Sequence, residues 1–222
     1  MRAVSFVLLI FLLAAPGAFA LPTQLRVQED ADARAVLSRP CIEVTATGRV
    51  ELPYEGLARA FSSENLLGDL QREYTRQLPA GERPEFVIVQ TQPGLYHYVN
   101  RSGQESHIRE VHRGAHEGPI TELVLHTWGK RFFGRFEAVI HVAVRPDEAG
   151  GVTYDALVYA WPDNGVSRFL ARHLGLVKQY FRSKTREIEA LSTRIGAALC
   201  ASSLARLDGP PNQHIPLQDD SM

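Results

Sequence analysis

The residues of this chain best suited to chemistry are carboxylates and imidazoles at even spacings. Glu122 and His126 stand four apart, Glu137 and His141 flank Val139, and Asp155 lies within the next apolar-rich segment. In extended chain, residues i and i+4 share a face. A Glu and a His on a common face could serve as base and acid in cyclase or hydrolase chemistry, if they line a cavity within hydrogen-bond reach of a substrate proton. On an outer face the same residues are solvated cross-strand neighbours. Phe136, Ala138, Ile140, Val142 and Val144 make the better buried set, which turns Glu137 and His141 outward.

His97, His107, His112, His116, His126 and His141 raise the question of a metal. A metal site needs ligands converging at about 2.1 Å, whereas strict alternation along one strand sends His107 and His112 to opposite faces. No H-E-x-x-H or Cys/His spacing occurs, and there is no serine elbow, P-loop or dinucleotide fingerprint. Ser167 follows Gly165-Val166 at a helix start, where it suits capping. No metal, no cofactor and no catalytic residue is expected.

Aromatic side chains cluster where either a core or a pocket would need them. Tyr96 and Tyr98 share one strand face, Tyr159 and Trp161 share another, and Trp128, Phe132, Phe133 and Phe136 bracket Gly129 and Gly134. Aromatics bury large areas and also line most small-molecule sites. The segment from Trp128 to Gly134 has a basic and aromatic tip, suited to a plain hairpin with snorkelling Lys130 and Arg131 or to transient membrane contact.

The elements that must hold these residues follow from periodicity. Residues 42–50 alternate apolar with polar as a half-buried strand does, Pro53 opens a short helix, and a second helix follows Ser62-Ser63. Strands are expected over 86–91, 95–100, 106–113, 120–128, 136–145 and 152–161, separated by Pro/Gly turns such as Pro93-Gly94 and the run from Pro146 to Gly151. After Pro162-Asp163-Asn164-Gly165, apolar residues from Phe169 and Leu170 through Leu174, Val177, Phe181, Ile188, Leu191, Ile195 and Leu199 repeat at steps of three and four, the stripe of one long helix. That helix must cover the sheet, and the space between them is either packed core or ligand cavity.

Met1-Arg2, the uncharged apolar run from Ala3 to Ala15, and Ala18-Phe19-Ala20 read as a secretory leader over residues 1–20. The expectation is export to a periplasmic or extracellular space. The formal net charge of -1 gives no electrostatic footprint for nucleic acid. Residues 21–40 are read as a mobile N-terminal arm with room for a helical turn, 41–206 as one domain, and 207–222 as a disordered tail. Cys41 and Cys200 stand near the two ends of that domain, and an oxidising compartment would favour a disulfide between them.

The order strand, helix, helix, six strands, long helix resembles the helix-grip fold of the START-related superfamily of lipid-transfer domains and polyketide cyclases. The resemblance spans roughly residues 42–200 and is sharpest from Val158 to Leu170, where a strand, a Pro/Gly turn and a helical entry follow one another. It implies an α+β fold with a curved antiparallel sheet wrapped around a C-terminal helix. It also implies a hydrophobic small molecule or lipid held between them, near Tyr96, Tyr98, Trp128, Phe136, Tyr159, Trp161 and Leu170. Two other readings stand beside it: a cyclase or hydrolase using Glu137, His141 or Asp155, and an envelope interaction module with a packed core.

Overall fold

The computed structural model describes residues 27, 30–116, 119–131, 134–163, 195–199 and 201. The expected leader, the stretch 164–194 that holds most of the expected long helix, Leu170, Cys200 and the expected tail lie outside the described residues. The chain forms α1 (Ala31–Leu37), β1 (Ile42–Val50), α2 (Tyr54–Phe61), α3 (Leu66–Arg76), β2 (Phe86–Gln92), β3 (Leu95–Asn100), β4 (Glu105–His116), β5 (Ile120–Arg131), β6 (Gly134–Pro146) and β7 (Val152–Pro162). Residues 195–199 are again helical. No described helix is long and apolar enough to cross a membrane.

The seven strands make one sheet in the order β1-β7-β6-β5-β4-β3-β2, each neighbouring pair antiparallel. Tight hairpins join β2 through β7, as the turn residues require; Gly94 between β2 and β3 has φ +70°, a conformation that costs glycine little. Only the link from β1 to β2 is long, and it carries α2 and α3. This sends β1 to the far side, beside β7. The architecture is therefore α+β with an antiparallel sheet, and from β1 to β7 the elements follow the order expected from the sequence; the long helix expected after them lies mostly outside the described residues.

Local chemistry sets the helix starts. Asp30 caps α1 by accepting from the Ala33 amide at 2.8 Å, and Asn65 caps α3 by accepting from the Gly68 amide at 3.2 Å. Pro53 precedes α2 in extended conformation rather than sitting in its first turn. The edge strand β2 is covered by a side chain: Gln71 of α3 donates to the Phe86 carbonyl at 3.3 Å and accepts from the Ile88 amide at 3.2 Å. A primary amide thus occupies the edge groups that would otherwise recruit another strand.

The inner face of the sheet packs against α2, α3, Ile195 and Leu199, and collects Val44, Ile88, Tyr98, Ile108, Leu125, Ile140 and Val158, one residue from every strand. The outer face is covered along its middle by Val27, Ala33 and Val36, packed on Val124 and Val139. The segment expected as a mobile arm therefore contains a seven-residue helix that docks on the sheet. Hydrophobic burial against the outer side chains of β5 and β6 explains the docking. With both faces covered, β5 is buried continuously over 121–127 and β6 over 138–144.

Candidate functional site

The inner face builds from rows of side chains that run straight across the strands. One row is Val44, Val158, Ile140, Leu125 and Glu110; the next is Ala156, Val142, Leu123 and Arg113. Both apolar rows thus end in a charge on β4. On the other side of the first row lie Ile42, Ala160, Ala138, Thr127, Ile108 and Tyr96, and beyond them Phe136, Gly129, Ser106 and Tyr98. The inner faces of β5 to β7 are paved with small groups at Thr127, Gly129, Ala138, Ala156 and Ala160.

A β-bulge makes the charged end possible. The β4–β5 register shifts between Glu110 and His112, leaving Val111 as the extra residue. Strict alternation would put residues 110 and 113 on opposite faces; the bulge returns both to the inner face, and Arg113 Nε meets Glu110 Oε1 at 2.8 Å. Arg113 is also tied to the end of α2 by donation to the Phe61 carbonyl at 3.5 Å and to the Ser63 carbonyl. Burial pushes the Glu110 carboxyl above its ordinary range, against the opposing pull of Arg113. Tyr96 is fully buried, and burial followed by the charge of Glu110 raises its phenol too.

At the opposite end of the face, Tyr54 and Thr121 share a hydrogen bond of 3.1 Å, and Tyr154 lies across β1 at Gly48, where any Cβ would collide with its ring. Chemically, the inner face offers a broad apolar floor with two small polar stations.

The expected ligand residues divide between the faces. Tyr96, Tyr98 and Phe136 are on the inner face, and Tyr98 stacks on Phe86 at 5.8 Å, which in turn stacks on Tyr74 of α3 at 4.6 Å. Trp128, Tyr159 and Trp161 are on the outer face, in register with Glu137 and Val139 rather than with Phe136 and Ala138. Their expected grouping with Phe136 beneath the C-terminal helix is corrected by strand parity. Arg39 lies over Trp161 at 4.2 Å and pairs with Glu137 at 3.1 Å, so these side chains anchor the end of α1. Leu170 lies outside the described residues.

The nominated acid-base residues are also on the outer face. Glu137 pairs with Arg39, Asp155 with Arg145 at 2.6 Å, and His141 Nε2 lies 3.8 Å from Glu122 Oε1. Glu122 and His141 are not solvated as expected of that face, being 0% and 3% exposed, whereas Glu137 is partly exposed. The bulge also brings His107 and His112 to the same outer face, correcting the alternation argument. Among the described residues no group of three or more potential ligands is placed to hold a metal ion. Cys41 Sγ lies 3.1 Å from the Val36 carbonyl oxygen; its expected partner Cys200 lies outside the described residues, and with it the Cys41–Cys200 bond.

Sequence reasoning missed Glu110 and Arg113. Their spacing of three carries no signal under strict alternation, and nothing in Glu110-Val111-His112-Arg113 marks Val111 as the extra residue of a bulge.

No family model matches the chain, and no curated protein matches it. Among solved structures, protein jhp0584 from Helicobacter pylori is 11% identical at TM-score 0.46, covering 86% of this chain and 99% of that one. Ara h 8.0201 is 11% identical at TM-score 0.43, covering 72% and 98%. The di-domain ARO/CYC StfQ from the steffimycin biosynthetic pathway is 12% identical at TM-score 0.43, covering 74% and 52%. These likenesses are distant, and the α+β architecture follows from the chain's own strand order and register.

Proposed function

We propose that this chain is an exported carrier that binds a hydrophobic small molecule, such as a lipid, on the inner face of its sheet. The observation that carries the reading is the composition of that face: small and apolar side chains along β5 to β7, ending in the Glu110–Arg113 pair and the Tyr96 phenol. Apolar floor removes ligand from water at about 25 cal/mol per Å² buried, and a few polar groups orient one end. Binding is favoured over the cyclase or hydrolase alternative because Glu137, His141 and Asp155 face away from this floor and are engaged with other side chains.

Half-buried Phe136 on the inner face separates a pocket from a packed interior. Phe136→Ala is expected to weaken uptake of a fluorescent fatty acid or sterol by delipidated protein about tenfold, while apo stability falls by less than the ~3–5 kcal/mol typical of a packed Phe. A full-sized stability loss with no uptake even by the wild type would favour the packed interaction module.

Export and the disulfide are read by one mass measurement on secreted protein. The expected chain starts at Leu21 and weighs two hydrogens less than its fully reduced form. An intact leader, or a mass that does not change on reduction, contradicts the corresponding part.

A further inference from the structure

The outer face carries a polar assembly that ligand binding on the inner face does not use. Arg109 of β4 donates to Asp30 at 2.9 Å and to Asp32 at 3.0 Å, joining the sheet to the N-terminal end of α1. Asp30 is committed twice, since it also caps the helix. Beneath this junction sits His126 of β5, 4% exposed, with its Nδ1 3.4 Å from the same Arg109 nitrogen. An Nδ1 that accepts from a guanidinium belongs to a neutral ring carrying its proton on Nε2, and that Nε2 has no hydrogen-bond partner among the described residues. At the other end of the helix Arg39 holds Trp161 and Glu137. The apolar contact beneath joins Ala33, Val36 and Val27 to Val124 and Val139, with Leu37, Val111, Tyr159 and Trp161 only partly buried at its margin.

We propose that residues 30–39 form an acid-labile strap: protonation of His126 sets a second positive charge against Arg109, breaks their hydrogen bond, and loosens α1 from the outer face. A proton on Nδ1 would confront a guanidinium N–H with another N–H, so the contact changes from attraction to repulsion. The groups that could offset the new charge are already engaged. Asp30 and Asp32 are held by Arg109, and Glu137 by Arg39. His112, His141 and Glu122 lie further along the same face. Burial first, and Arg109 second, hold the imidazole below its usual pKa of 6.5, against the weaker pull of Asp30, Glu137 and Asp32.

The linkage sign follows. A docked histidine with a depressed pKa leaves docking at full strength above pH 6.5. Docking weakens as pH falls from there toward the docked pKa, and His126 causes no further change below it. The device is independent of whether the inner face holds a ligand.

Amide hydrogen exchange of residues 31–37, corrected for intrinsic rates, tests the proposal in the full chain. Between pH 7.5 and 5.5 protection of α1 is expected to fall by up to about tenfold, the limit set by one pH unit below 6.5, while β5 and β6 stay protected. His126→Gln, which still accepts from Arg109 but never charges, should abolish the fall. Unchanged wild-type protection, or the same fall in the variant, overturns the proposal. If the variant does not fold, the wild-type imidazole titration decides: His126 should titrate below the ordinary histidine value of 6.5, and a titration at or above that value overturns the proposal.

Discussion

Replacing Ile195 by Asp is expected to lower stability by about 3–5 kcal/mol and the melting temperature by on the order of 10 °C. Ile195 and Leu199 lie one helical turn apart, both buried with Val44, Phe61 and Ile140 in the inner core. The backbone there is close as well, since a Cβ at Gly196 would come within 2.8 Å of the Leu52 side chain. A carboxylate at position 195 would have to ionise in that apolar setting or fold protonated, and either course is costly. Thermal melting within a degree or two of wild type would show that this segment is peripheral and does not close the sheet.

The second large effect falls on Arg113. Arg113→Met removes the partner of Glu110 and the tie to the end of α2, and should cost roughly 2–4 kcal/mol at neutral pH. The pH dependence identifies the cause. Glu110 already has a folded-state pKa raised above 4.5 by burial, so the folded state binds the proton more tightly and stability falls as pH rises from about 4.5 through that raised value. Without Arg113 the value climbs further, and the loss continues to higher pH. Denaturant melts of both proteins from pH 4.5 to 8 should converge in acid and diverge toward neutrality. A constant gap would mean that the tie to α2, and not the buried carboxyl, accounts for the effect.

These charges show where the sequence was readable and where it was not. The strands were legible because Val, Ile and aromatic runs alternate between Pro/Gly turns, and residues 42–50 and 95–100 match observed β1 and β3. Parity was legible on β6, where the set from Phe136 to Val144 does face the core. It failed on β7, where Ala156, Val158 and Ala160 face inward while Leu157, Tyr159 and Trp161 are equally apolar and face outward. A strand covered on both sides loses the contrast that parity depends on. The cover itself was hidden, because the apolar residues of Ala31–Leu37 are mostly alanines set between Asp and Arg, which mark no clear helical stripe, and only Ala33 and Val36 are buried. On β4 the single extra residue at Val111 inverted every facing that alternation assigned beyond it, which concealed the Glu110–Arg113 pair and separated His107 from His112 on paper only.

The central claim, a hydrophobic molecule on the inner face, is tested most directly by the native mass spectrum of protein purified without delipidation. The account predicts an apolar adduct of a few hundred daltons that organic extraction removes. It also predicts that the adduct is lost in Ala160→Phe, which fills the inner floor beside Ile42, and retained in Tyr159→Ala on the opposite face of the same strand. Bare protein in every spectrum, together with no uptake of added fatty acid or sterol, would contradict it.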